Sequence, residues 1–456
     1  MISSTFVFFL ALSLAAWHLK RDITFRLSVS FLLFSSLIIV NGIALLIYLF
    51  YTGPTGIDTH IYDTAMRIGG QNEVVRRLLW AMTLMFVCLT TGSLLSRITF
   101  AKWYRSGRRA GITPATQTIS RAYRIGPVGY VLLWYLALFM FGVSVWSNQL
   151  FKVYQYFASG GTEFYKILLR NTEGGTGIYL YNVVLYSIAP FLVMVCYNAW
   201  KGSPKTRSLR LLTVVLFGLV LLGKFGTLSK APPVIFLLQI FLMHHLLLRK
   251  KFNFHAILWT LWISMVLFVG IVKATMPNLE MSAVFSFLYY RIFDIPNEVL
   301  LEYFSAIPAY LPYGWGAGIF GFLAHDGGQS HLETYFAVAQ LVHGFGLTSS
   351  SSNAMFIGDA WAEFSWGGVA FFSMLAGFWV RAIDLYAFRN GFTDETACII
   401  AGCAFGVFTM LSTALNTALI TGGLAFIPFL SMYFTRRRKS NLVPTMSTEL
   451  LPNNTI

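Results

Sequence analysis

Apolar residues along this chain come in long unbroken runs. They show neither the alternation of a half-buried strand nor the one-sided stripe of a soluble helix. Runs near 20 residues recur, the length a helix needs to cross a bilayer core. About eleven such spans are predicted, at 2–18, 27–51, 78–97, 128–147, 179–199, 209–225, 232–248, 255–273, 368–388, 396–415 and 416–434. The expected fold class is therefore all-α, a polytopic membrane protein. An N-terminal bundle of about eight spans covers 1–273, and a large outer loop with short helices covers 274–367. C-terminal spans follow over 368–435, and a tail over 436–456.

Composition agrees with that pattern. Hydrophobic residues make up 56% of the chain and charged residues only 11%, against about 25% charged in soluble domains. This excludes a cytosolic enzyme, a nucleic-acid-binding domain and a disordered tail protein. The net charge of +15 would suggest nucleic acid in a soluble protein, but here it reads as topology. Of the 33 Lys and Arg, 23 fall on one side of the predicted spans with 5 of the 18 Asp and Glu, leaving 10 and 13 on the other. The segment 97–127 alone has seven basic and no acidic residues. Basic residues resist translocation, so the basic side is expected in the cytoplasm, with the N-terminus outside and the C-terminus inside. The first span lacks a positively charged leader and is followed by Lys20 and Arg21, which reads as a retained anchor. Cys88, Cys196, Cys398 and Cys403 all lie within spans and are expected as small buried hydrophobes. No internal repeat, nucleotide-binding glycine motif or HExxH pattern is found.

Candidate chemistry gathers on the less basic side. The turn 222–233 carries Lys224 and Lys230 among glycines, then Ser229 and two prolines that suit a helix start. Phosphate binding at that helix start, or lysines snorkelling to headgroups, would each explain it. Arg291 sits in an aromatic stretch, three residues before Asp294. It could grip phosphate with its fork or pair internally with that aspartate. In 353–368, Asn353, Asp359 and Glu363 lead into a late span. If that segment is helical, the two carboxylates share a face one turn apart and one could take a proton; the alternative is acidic residues that favour a helix N-terminus. His325, His331 and His343 share the large loop with Asp326 and Glu333. Their spacing matches no strong metal motif, and satisfied loop histidines are the better reading. The 12 Trp, 22 Tyr and 42 Phe could stack sugars, but interfacial belts and packing account for most of them.

Taken along the whole chain, this architecture resembles the Wzy-type polymerases of bacterial surface polysaccharides, which resemble C-type membrane glycosyltransferases. Two local patterns carry the resemblance. The basic glycine turn Gly223–Lys230 is similar to the family's glycine-and-arginine turn, with Lys230 at the arginine position. Asn353 through Gly368 is similar to its segment of Asn, an acidic residue and Phe-Gly-x-x-Gly, with Asp359 acidic, Phe364 at the Phe and Gly368 at the last glycine. Ser365 stands where the family has glycine. The resemblance implies an enzyme of the bacterial inner membrane that joins undecaprenyl-diphosphate-linked oligosaccharide repeat units at its periplasmic face. It implies no nucleotide sugar, and a flippase and a chain-length regulator as pathway partners. Asp359 is then expected as the base, with Glu363 second, and Lys224, Lys230 and Arg291 as counter-charges to the diphosphate. Asp294, Asn353, Glu333 and His331 are further candidates. No metal or cofactor is expected. An O-antigen ligase, sharing the donor, and a lipid-linked sugar flippase are the alternatives.

Overall fold

The computed structural model describes residues 2–21, 27–50, 71–103, 123, 125–159, 176–202, 207–228, 231–249, scattered positions in 259–273, 280–316, 337–339, 341 and 354–434. Every regular element among them is helical. Among the described residues, eight helices are long and apolar enough to cross a membrane: Ile2–Arg21, Val29–Leu49, Glu73–Thr99, Pro127–Tyr156, Tyr179–Gly202, Arg207–Gly226, Ala231–Leu248 and Phe356–Ala387. They coincide with predicted spans one to seven and nine. The tenth is Asp394–Met410, opened by a capping box between Thr393 and Thr396. The chain is thus a multi-pass membrane protein by the length and composition of its helices.

The centre of the bundle is a parallel pair, Gln71–Thr99 and the part of Phe356–Ala387 that follows a break at Phe364 and Ser365. Two glycines bring their backbones together. A Cβ on Gly92 would stand 2.0 Å from the Met374 carbonyl oxygen, and one on Gly377 2.0 Å from that of Leu89. Close backbone approach through small residues is how helices associate where lipid removes the hydrophobic drive. Buried polar contacts then join helix ends on the basic side. His18 bonds Ser93 at 2.9 Å, and the backbone N–H groups of Val29 and Ser30 donate to Asp384 at 2.8 and 3.1 Å. Tyr123 bonds Ser431, which in turn donates to Glu395. Each bond satisfies a group that hydrocarbon would leave stranded. Together they gather the ends that the charge count assigns to one side.

Two segments differ from the sequence reading. The first described part of the large loop is one helical run over 281–306, with a π-helical turn at Tyr290–Asp294. Every residue from Asn297 to Ala306 is buried. Asn297 holds it to the second span, donating to the Val40 carbonyl at 2.8 Å and accepting from Asn41 at 3.2 Å. The π-helical turn Leu37–Ile43 provides that site, because a wider turn frees carbonyls from the ladder. Secondly, the last predicted span, 416–434, is two short helices, Leu415–Ile420 and Phe426–Phe434. Between them the Trp379 indole donates to the Leu424 carbonyl at 3.0 Å, replacing a lost helical bond.

Candidate functional site

Asp359 and Glu363 lie in a short helix, 356–363, that begins before the ninth span. The helix does not continue straight on. Phe364 and Ser365 leave helical geometry, with Ser365 at φ 54°, ψ −141°. The chain folds back there, so that the Ala360 carbonyl rests against Gly368, where a Cβ would stand 2.0 Å from its oxygen. Ser365 occupies a region that only glycine enters freely, at a cost of about 1–3 kcal/mol. Its hydroxyl donates to the Tyr313 oxygen at 3.1 Å, a weak compensation. Ser365→Gly is therefore expected to stabilise the solubilised protein by about 1 kcal/mol. A lower melting temperature for that variant would mean the Tyr313 bond outweighs the strain.

Both carboxylates are buried, Asp359 at 6% and Glu363 at 1% exposure. They are four residues apart on one helical face, near enough to interact electrostatically. The buried Tyr303 sets its hydroxyl toward Asp359. Glu363 is held from outside its helix by the segment 313–316. Gly314 and Trp315 donate their N–H groups to the Ala362 and Glu363 carbonyls at 2.9 and 2.8 Å, and Gly316 donates to the Glu363 carboxylate at 2.8 Å. This strap caps the helix end that the fold-back exposes.

Between the carboxylates in sequence, Trp361 is wholly buried and its indole N–H donates to the Ile307 carbonyl at 3.1 Å. Phe304 stacks on it at 4.6 Å, while Tyr313 and Trp366 meet it edge-on at 5.7 and 5.1 Å. Aromatic pairs of this geometry contribute about 0.5–1.5 kcal/mol each beyond their buried area. Arg77 comes in over the same ring at 6.0 Å and donates to the Phe304 carbonyl at 3.2 Å. Glu73 steadies it from one turn earlier.

Asp359 and Glu363 line a cavity of about 20 Å³ with Phe356, Phe372, Leu415 and Asn416, room for about one water. Leu415 is also a wall of a second cavity, about 260 Å³, lined by apolar residues only, among them Leu375, Trp379, Leu419 and Leu424. A small acidic chamber thus adjoins a larger hydrocarbon one, with the ninth span forming a side of each.

Of the predicted site residues that are described, the structure brings together only the carboxylate pair. Lys224 does not line this chamber and does not snorkel. Its side chain is fully buried, and its Nζ lies 4.6, 5.0 and 5.8 Å from the rings of Tyr186, Phe405 and Phe236, with no hydrogen-bond partner among the described residues. Arg291 is exposed, with its guanidinium 5.3 Å from the Phe287 ring. Among the described residues no ion pair joins it to the buried Asp294, because the π turn carries the two off a shared α-helical face. It also stands thirteen residues before Phe304, about 20 Å of helix from the Trp361 cluster. Lys230, Asn353, Glu333 and His331 lie outside the described residues. Arg77 has a signal in sequence, a basic pair on the acid-rich side immediately before a span. Tyr303, Tyr313, Gly316 and Asn416 have none.

No protein-family model matches the chain, and no curated protein or solved structure matches it either.

Proposed function

We propose that this chain is a membrane glycosyltransferase that joins lipid-diphosphate-linked oligosaccharide units, acting at the outer face of a bacterial inner membrane. The observation that carries the reading is the acidic chamber set against a wholly apolar one across Leu415. A polyprenyl-diphosphate sugar is an amphiphile of the same kind, a polar reacting head on a hydrocarbon tail. The acidic chamber as it stands holds about one water, so it would have to widen for the head to meet Asp359 and Glu363, while the tail would run down the apolar chamber within the membrane.

In this reading Asp359 takes the proton of an acceptor sugar hydroxyl, and the oxygen attacks the donor's anomeric carbon. The bond from that carbon to the diphosphate breaks, and the lipid diphosphate departs with the electron pair. Glu363, tied to Gly316, keeps the base in register. Arg77, held over the Trp361 ring on the side of the short helix away from the carboxylates, would meet a diphosphate that departs toward that side. Lys224 would join it only after its aromatic cage opens, and Arg291 only by way of a different part of the substrate. The reaction needs no metal if side-chain cations meet the diphosphate charge.

Purified protein in lipid nanodiscs, given a lipid-diphosphate-linked oligosaccharide with and without chelator, tests this. A ladder of glycan lengths unaffected by chelator supports the polymerase. A single transfer to a lipid A-core acceptor supports the ligase, and absence of any new glycosidic bond sinks both. Two observations favour transport as a second reading: a fully buried lysine and an interrupted last span are features of transporter sites. Movement of a lipid-linked sugar between leaflets without bond formation would establish it.

A further inference from the structure

We propose that Trp315 and Trp366 form a stacking platform for a pyranose ring of the glycan that reacts at the Asp359–Glu363 chamber. The proposal rests on the glycosyl-transfer reading and adds to it the surface that holds the sugar. Two large aromatic side chains stand exposed beside the buried carboxylates, Trp315 at 71% and Trp366 at 41%. They belong to one edge-to-face series that runs from Trp366 to the buried Trp361 at 5.1 Å, to Tyr313 at 5.7 Å and to Trp315 at 6.0 Å. Trp361, two residues from each carboxylate, projects from the opposite side of that helix, and the series reaches the acidic site at its Trp315 end, where Gly314 and Gly316 on either side lie against the Glu363 carboxylate.

The backbone of Trp315 separates it from an ordinary surface tryptophan. It sits at φ 49°, in the left-handed region that a bulky residue rarely enters. Its N–H is spent on the Glu363 carbonyl at 2.8 Å, and the next N–H, of Gly316, on the Glu363 carboxylate. The backbone that carries the indole is thus fixed beside that carboxylate, while most of the indole surface stays open. Strain of this kind persists where a site uses the geometry. Trp17 and Trp146, also exposed at 50% and 78%, sit on regular spanning helices with no such tether, as interfacial anchors do.

The chemistry selects the occupant. A pyranose has one face of C–H bonds, which meets the negative face of an aromatic ring favourably, and a rim of hydroxyls. The rings at this site offer such faces, and the adjoining carboxylates accept from hydroxyls. A lipid tail would use the rings but leave nothing for the carboxylates.

Saturation-transfer NMR on the full-length protein in nanodiscs tests the platform without requiring turnover. The probes are the methyl glycosides of glucose, galactose, mannose and N-acetylglucosamine. At least one is expected to receive saturation at its ring C–H groups. Trp315→Ala and Trp366→Ala should each weaken its binding by about fivefold, and Trp315→Phe should retain it. No transfer to any probe, or undiminished binding by Trp315→Ala, overturns the proposal. So does quenching of the Trp315 emission by brominated-tail lipids as complete as that of Trp146, which would make it an interfacial anchor. Glycoside binding without bond formation in the transfer assay would sink the enzyme reading and leave the platform standing. A normal glycan ladder from Trp315→Ala, with unchanged KM for the acceptor, would sink the platform and leave the enzyme.

Discussion

Asp359→Asn protein, purified in the same yield as the parent, is expected to lose the glycan ladder, with a rate lower by about 10²–10⁴-fold. The substitution keeps the side chain's shape and its place beside Tyr303 while removing its capacity to take a proton. Asp359 is 6% exposed, on the chamber wall, and one turn from a second buried carboxylate. Glu363→Gln should be milder, since an amide oxygen can still accept the Gly316 N–H that ties the strap to the helix. The order of the two effects matters as much as their size. If Glu363→Gln is the dead variant and Asp359→Asn polymerises normally, the base has been assigned to the wrong carboxylate. If neither variant slows an active enzyme, the chamber is not where the proton is taken.

The spans were legible because membrane helices advertise themselves locally. An apolar run of sufficient length has few alternatives in hydrocarbon, and each run stands in the sequence without reference to the others. The sorting of ends was legible for a similar reason, since basic residues cluster at one set of turns. The carboxylate pair belongs to the same category. Asp359 and Glu363 are four apart in a segment with helix-forming neighbours, so their shared face follows from helical geometry alone.

What was hidden depends on contacts between distant parts of the chain. Nothing in Gly314–Gly316 announces that this segment caps a helix almost fifty residues later. Lys224 looks like a snorkelling lysine until Tyr186, Phe236 and Phe405, from three other elements, close around it. The interruption of the last span is masked because Thr421, Gly422 and Gly423 sit inside an apolar run, where small residues also suit a packed helix. The π turns leave no trace at all, since they change the register of side chains and not their identity. Arg291 shows the consequence. The i,i+3 rule that would pair it with Asp294 assumes an α-helical turn that this stretch does not make.

Gly368→Ala, the smallest change available there, is expected to lower the transfer rate by about 10²-fold while leaving the bundle folded. A Cβ at this position would stand 2.0 Å from the Ala360 carbonyl oxygen and 3.0 Å from the Phe364 Cβ. The first obstacle is backbone, which no rotamer change relieves. The short helix 356–363 must therefore lift away from the span it folds against, carrying Asp359, Trp361 and Glu363 with it. A displacement of about 1 Å at reacting groups is enough for a loss of that order. The neighbouring residue supplies the control, because a Cβ on Gly367 would meet nothing within 4 Å. Gly367→Ala should pay the same modest helix-propensity change without the collision and retain near-parental activity. Equal rates for the two alanine variants would mean that the fold-back does not position the carboxylates. A Gly368→Ala protein that elutes as a single species, binds methyl glycosides less well and transfers slowly would tie the helix hairpin to the chemistry at its tip.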